Sequence, residues 1–384
     1  MVHSRLCGCS EQRLYLAFAS LGVRSHSSLR TVAAGTRPQY QPIPSSRPAW
    51  RLSKLACRRY SVTHSGCASR LGTRCCAVVR QEAASQRAVL VGLEAADFRH
   101  PLDALATRQM DFLTRITGLG ALIRRVIGPV AEQVLEIENI SSGVLVGPEQ
   151  LPSLYALLTE ACEILHIDVP DLYIRQNPIP NAYTLAINGQ RPFIVLHSAL
   201  LDMGLTASEL QTVIAHELGH LKCEHGIWIT TANLLLLALG QLGELGRSLA
   251  TMLGRRIFSW LQAAELSCDR AALLVMQDPR LVISVLMKLS GGSATWASEM
   301  NPDAFLQQAT RLDSVSRTRL GRQVRQRMQR SATHPLPVVR ARELDRWAHS
   351  VEYQRLLAGG QRRASRDQMR KAEVGKRDPP PKSS

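Results

Sequence analysis

Residues 215–226 read AHELGHLKCEHG. His216 and His220 are four apart, and Glu217 directly follows the first. On a helix, four residues separate two side chains by roughly 40° around the axis and one turn along it, so both imidazoles can reach one metal ion. Zinc takes such nitrogen ligands and lowers the pKa of water it polarises. A neighbouring carboxylate then accepts the proton as that water attacks a carbonyl. The pattern points to metal-dependent hydrolysis with Glu217 as proton acceptor. A plain amphipathic helix with solvated histidines is the competing reading.

A catalytic zinc needs a third protein ligand. In the metzincin pattern a histidine falls six residues after the second one, where this chain has Gly226, and His225 comes one residue too early. Glu224, four beyond His220, prolongs the same helix and would have to reach back along it. AELSCDRAALL at 264–274 offers Glu265 and Asp269, four apart on one face of a second expected helix. One of these carboxylates can ligate while the other accepts the remaining N–H of a ligating histidine. Spacing leaves open that both acids are simply solvated.

These residues must be positioned by neighbouring elements. Thr206 and Glu209 form a capping box ahead of the motif helix, and Gly226 is its expected stop. Residues 148–167 carry Leu154, Leu157, Leu158, Ala161, Ile164 and Leu165 as a one-sided helical stripe. EIENISSGVLV is expected to be a short extended piece. DLYIRQ, AYTLAIN and RPFIVLHS are β-rich, and Asn188-Gly189 marks a hairpin between the last two. NPIPN contains prolines that cannot donate to a ladder, which places a sheet edge there. Such an edge can bind an extended peptide by adding it as a strand, beside the motif helix.

Charge divides the chain. Residues 1–90 hold 14 Lys+Arg against 2 Asp+Glu, and 311–384 hold 19 against 7, leaving 14 basic and 22 acidic residues between. The +16 formal charge therefore lies at the ends, which argues against a nucleic-acid-binding core. The Arg- and Ser-rich, acid-poor first 90 residues have the composition of an organellar transit peptide. Serine abundance favours a plastid over a mitochondrion. Six of nine cysteines, Cys7 to Cys76, lie there; Cys162, Cys223 and Cys268 remain without framework spacing, so no disulfide scaffold is expected. Residues 226–243 are uncharged over about 18 positions, near the lower limit for crossing a bilayer. Their threonines, Asn233, Gln241 and glycines favour a buried helix or a one-sided membrane contact. The basic tail after 350 reads as disordered.

AHELGHLKCEHG followed by AELSCDRAALL resembles the zinc metallopeptidase family that includes HtpX and the CAAX prenyl proteases. The text from FRHPLD (Phe98) through NAYTLAING, VLMKLSGG and HPLPVVRARELD (to Asp345) is similar to the plastoglobule metallopeptidases of plant chloroplasts. The resemblance implies His216, His220 and Glu265 as ligands of one Zn2+ per chain, Glu217 as general base and Asp269 behind the ligands. It also implies Asn181, Ala182 and Tyr183 on a substrate-facing edge strand, and functional positions at His334 and Arg340. His334 would donate to the oxyanion of the tetrahedral intermediate.

The resulting expectation is an α+β, mainly helical zincin-like metallopeptidase domain with a small edge-exposed β-sheet. It comprises a transit peptide at 1–90, a helical lead-in at 91–139, the peptidase domain at 140–350 and a basic tail at 351–384. Its expected function is zinc-dependent endoproteolysis of protein or peptide substrates in a chloroplast, at a plastoglobule, thylakoid or other lipid surface and without nucleic acid. A catalytically silent membrane-associated scaffold of the same fold is the alternative.

Overall fold

A computed structural model describes residues 87–360 apart from 89, 91, 119, 120, 122–124, 126, 127, 187–191, 332 and 333. The described chain runs through α1 (Ala95–Phe98), α2 (Pro101–Thr117), α3 (Gly128–Ser142), β1 (Gly143–Val146), α4 (Pro152–Leu165), β2 (Asp171–Arg175), β3 (Ala182–Leu185), β4 (Phe193–His197) and α5 (Ser198–Asp202). It continues through α6 (Ala207–Lys222), α7 (His225–Gly240), α8 (Gly243–Met276), α9 (Pro279–Gly291), α10 (Pro302–Val315), α11 (Arg319–Ser331) and α12 (Pro337–Ala348). The fold is mostly helical with one four-stranded sheet, an α+β architecture.

The sheet order is β1-β2-β4-β3. β2 and β4 run parallel, and the outer pairings are antiparallel. Every residue of β4 is buried, since both faces of this strand are covered. Leu172, Ile194 and Leu196 face the main core, whereas Tyr173, Phe193 and Val195 form a separate cluster with Leu135 of α3. β3 takes an edge position, as the prolines before it indicated. The Asn188-Gly189 turn lies outside the described residues, but β3 and β4 pair in the antiparallel sense that such a turn requires.

Helix ends follow local chemistry. The α6 capping box forms: Glu209 N–H donates to Thr206 Oγ1 and Thr206 N–H to Glu209 Oε2, at 3.2 and 2.8 Å. α4 buries Leu154, Leu157, Leu158, Ala161, Cys162 and Leu165, close to the expected stripe. It starts at Pro152 rather than 148, because Leu151 adopts a left-handed φ of 60° and proline fits the first helical position.

Four expectations need correction. α6 stops at Lys222, not at Gly226: Glu224 turns left-handed at φ 54°, and α7 begins at once. Gly226 serves instead as a close approach, since a Cβ there would stand 2.5 Å from the Ala186 carbonyl oxygen. EIENISS is helical, so only Gly143–Val146 of the expected extended piece is strand, and a division between 139 and 140 would cut α3. The folded part begins inside the segment expected as transit peptide: Ala88 exchanges backbone hydrogen bonds with the Gln277 amide, and Leu90 and Leu93 are buried. It also passes 350, where 351–360 is helical and Tyr353 packs on Trp347 at 5.0 Å.

Among the described residues no helix is long and apolar enough to cross a membrane. The uncharged segment becomes α7, whose first half is buried against α8 through Trp228, Ala232, Ile257 and Trp260. α6 and α8 approach closely at Gly219, where a Cβ would lie 2.9 Å from Cys268 Cα and 3.0 Å from Ala271 Cβ. This contact brings the two chemistry-bearing helices together. Cys162, Cys223 and Cys268 are buried free thiols.

Candidate active site

His216 and His220 project from α6 toward Glu265 on α8. Nε2 of His216 is 3.5 Å from Glu265 Oε2, and Nε2 of His220 is 3.4 Å from Glu265 Oε1. Asp269, one turn further along α8, lies 3.1 Å from His216 Nδ1. Arg340 of α12 grips Asp269 with Nε at 2.8 Å and Nη2 at 2.6 Å, and its Nη1 reaches Glu265 at 3.3 Å. The half-exposed His334, just before α12, brings Nδ1 to 2.7 Å from Glu265 Oε2.

Glu217 follows His216 on α6 and is buried. Its Oε2 accepts from the Thr184 hydroxyl at 2.8 Å, which ties the carboxylate to edge strand β3. Asn181 sits at the start of that strand, and its carbonyl accepts from His197 N at 2.9 Å. Backbone groups alternate along an antiparallel strand. Asn181 and Tyr183 therefore face β4, while Ala182 and Thr184 turn their N–H and C=O to the open edge. Of the three residues expected on this edge, Ala182 alone offers both backbone groups outward; Tyr183 instead stacks edge-on against His197 at 6.0 Å.

The electrostatics favour ionised acids here. Burial would raise the Glu265 pKa, but His334, His216 and His220 together hold it well below the usual carboxylate range. Asp269 is likewise lowered against its burial, chiefly by Arg340 and His216. For His216 burial alone would lower the pKa; hydrogen bonds to Asp269 and Glu265 outweigh it and raise the value to about 9. So strong a pull toward cationic character marks a place where positive charge is wanted.

A zinc ion is the natural source of that charge, and the residues fit it. Nitrogen and oxygen ligands about 2.0–2.2 Å from a tetrahedral zinc stand about 3.3–3.6 Å from one another. Each imidazole stands within that range of one Glu265 oxygen, His216 Nε2 of Oε2 and His220 Nε2 of Oε1. Glu265 Oε2 is also buried without an aligned hydrogen bond, despite its three nitrogen neighbours, which leaves an acceptor free for an ion. Cys268 lies close enough to His216 and His220 to enter a donor cluster. Burial keeps its thiol protonated, well above the usual range, so Glu265 is the better third donor.

Glu224 is exposed in the turn between α6 and α7, away from the donor set. Sequence reasoning missed Thr184 and His225. Thr184 shares the face of Ala182 in the alternating strand, a pattern that shows which side it takes but not what lies there. His225 lies in AHELGHLKCEHG itself, but its spacing fits no ligand pattern. In the structure its Nδ1 lies 3.0 Å from His220 Nδ1, and burial lowers its pKa to about 4 despite a contact with Asp103.

Comparison with known proteins agrees with this geometry. The profile of peptidase family M48 matches residues 152–348, which span α4 to α12. The chain is 50% identical over 273 residues to the plastoglobule-localized metallopeptidase 48, chloroplastic, of Arabidopsis thaliana, covering 71% of this chain and 78% of that one. It is 26% identical over 171 residues to protease HtpX homolog 2 of Methanosarcina mazei, covering 38% of this chain and 58% of that one. A protease HtpX homolog of Pelotomaculum thermopropionicum is 35% identical over 77 residues, 20% of this chain and 27% of that one. No solved structure matches. A chloroplast location follows from the 50% identity to the Arabidopsis protein. The chain belongs to peptidase family M48 and is a metal-dependent peptide hydrolase.

Proposed function

We propose that this chain is a zinc endopeptidase with one ion per chain, held by His216, His220 and Glu265, and that it acts in plastid protein turnover at a lipid surface. The observation that carries the reading is the convergence of these three side chains from α6 and α8, beside a Glu217 braced by β3. Zinc supplies positive charge that polarises the scissile carbonyl and acidifies water.

The chain's own residues supply the rest. An extended substrate pairs with the open edge of β3 through the backbone of Ala182 and Thr184, with Asn181 and Tyr183 fixing that edge against β4. Thr184 holds Glu217 Oε2, so the other oxygen is turned to accept a proton from the attacking water and pass it to the leaving amine. Asp269, clamped by Arg340, keeps the His216 ring oriented through Nδ1. His334 donates to the oxyanion as it develops on the substrate, a role its half-exposed position beside Glu265 suits. Intact Glu217 and its Thr184 contact disfavour a silent scaffold.

Glu217→Gln tests the mechanism. The variant retains stoichiometric zinc and loses on the order of 10²–10⁴ in peptide cleavage rate, since only the proton acceptor is removed. Near-normal turnover by the zinc-loaded variant would sink the assignment.

A further inference from the structure

Both ring nitrogens of His220 are engaged. Nε2 faces Glu265, and Nδ1 meets Nδ1 of His225 at 3.0 Å. Nε2 of His225 in turn lies 3.1 Å from Asp103 Oδ2. His225 and Asp103 are fully buried, and each comes from a different element, α7 and α2. Asp103 is held on both oxygens: Trp260 Nε1 and Thr107 Oγ1 donate to Oδ1 at 2.8 and 3.1 Å, and Ser267 Oγ donates to Oδ2 at 2.6 Å. The Arg99 guanidinium stands 3.8 Å away.

Two facing nitrogens at hydrogen-bond distance between neutral rings share one proton, so one donates and the other accepts. If His220 presents an Nε2 lone pair to an ion, its proton sits on Nδ1 and is donated to His225 Nδ1. His225 must then carry its own proton on Nε2, which an ionised Asp103 accepts. Each link determines the next.

We propose that Asp103 and His225 form a buried positioning relay that fixes His220 in the tautomer with Nε2 open for the metal. His216 receives this service directly from Asp269; His220 has no carboxylate beside Nδ1 and receives it through an intervening imidazole. The relay accounts for a carboxylate with no exposure at all. It also makes α2 part of the peptidase machinery. A second metal at Asp103, Cys223 and His225, whose donor atoms cluster, is disfavoured: both nitrogens of His225 and both oxygens of Asp103 are already engaged, and burial pushes the Cys223 thiol up to about 12.

The inference rests on His220 being a ligand, and Asp103→Asn tests it separately. Trp260 Nε1 is a donor only, so the asparagine oxygen must stay at the Oδ1 position and its amide nitrogen must face His225. His225 Nε2 then becomes an acceptor, its proton moves to Nδ1, and the proton of His220 is driven onto Nε2, where it opposes the metal. Zinc affinity measured by competition with a chromophoric chelator should fall by about 10–100-fold, as for other partners behind a metal ligand, while the apo thermal midpoint stays close to that of the parent. A purely structural role predicts unchanged affinity for this isosteric variant, and that result overturns the relay. The zinc-loaded parent gives a reading free of any folding defect: 15N shifts of labelled histidines should place protons on His220 Nδ1 and His225 Nε2. The reverse placement on His225 also overturns it. Tightly held zinc in His220→Ala would instead refute His220 as a ligand, a failure of the underlying reading.

Discussion

Glu265 sits between two imidazoles, His334 and an arginine, whereas Glu224 is exposed in a left-handed turn. This difference in surroundings separates the two carboxylates that the sequence offered as third ligand. Glu265→Ala should lose zinc outright, read as metal content after gel filtration. Asp269→Asn should weaken affinity about 10–100-fold, because it alters only what orients His216. Glu224→Ala should be nearly silent. Tight zinc in the Glu265 variant with metal lost from the Glu224 variant would reverse the assignment. At this scale much of the site was legible in the sequence. Helical spacing groups positions 216, 217 and 220 and singles out Glu265 and Asp269 as a pair on one face, but it leaves open whether either acid is a ligand; the family resemblance names Glu265. Asp103 was not legible, since its partners lie 122, 157 and 164 residues away and no local pattern links them.

The relation between α6 and α8 is set by a residue with no side chain. Gly219 lies inside the HELGH stretch, and its Cα hydrogens face the Cys268 backbone. A methyl there would lie 2.9 Å from Cys268 Cα, and backbone cannot swing aside as a side chain can. Gly219→Ala should therefore force the helices apart and cost about 1–3 kcal/mol, somewhat offset by alanine's better helix propensity. The same displacement carries His216 and His220 away from Glu265, so zinc affinity should fall as well. A variant with raised thermal stability and parental zinc affinity would show that the helices do not need this contact. The elements themselves were well marked where local rules apply, as in the α6 capping box and the α4 stripe. The end of α6 was misread because Gly226 invited a stop, while the chain turned at Glu224 and used the glycine to approach Ala186. The outward backbone of Ala182 depends on pairing register, which composition does not carry.

Across the whole molecule, apolar and basic surface is unevenly placed. The end of α7, the turn after it and the first turns of α8 expose Leu237, Leu242, Leu245, Leu249 and Met252, and α11 exposes Leu320, Val324 and Met328 at four-residue spacing. α11 adds Arg319, Arg322, Arg325, Arg327 and Arg330 with no acidic residue, while the central chain is acidic. A helix with a basic face and an apolar stripe suits an anionic lipid surface, where the stripe enters the headgroup boundary and the arginines meet the charge. If the proposed lipid contact uses α11, replacing Arg322 and Arg327 with glutamate should weaken binding to phosphatidylglycerol-containing vesicles by roughly 30-fold or more, at about 1 kcal/mol per basic residue near the surface. Cleavage of a short soluble peptide should be unchanged, because neither arginine contacts Glu217, Glu265 or β3. Raising salt from 50 to 500 mM should reproduce the loss in the parent by screening. Leu242→Gln with Leu245→Gln provides the opposing result: if that pair abolishes flotation with vesicles and the α11 variant floats like the parent, the contact lies at the turn between α7 and α8 and the role given to α11 is wrong.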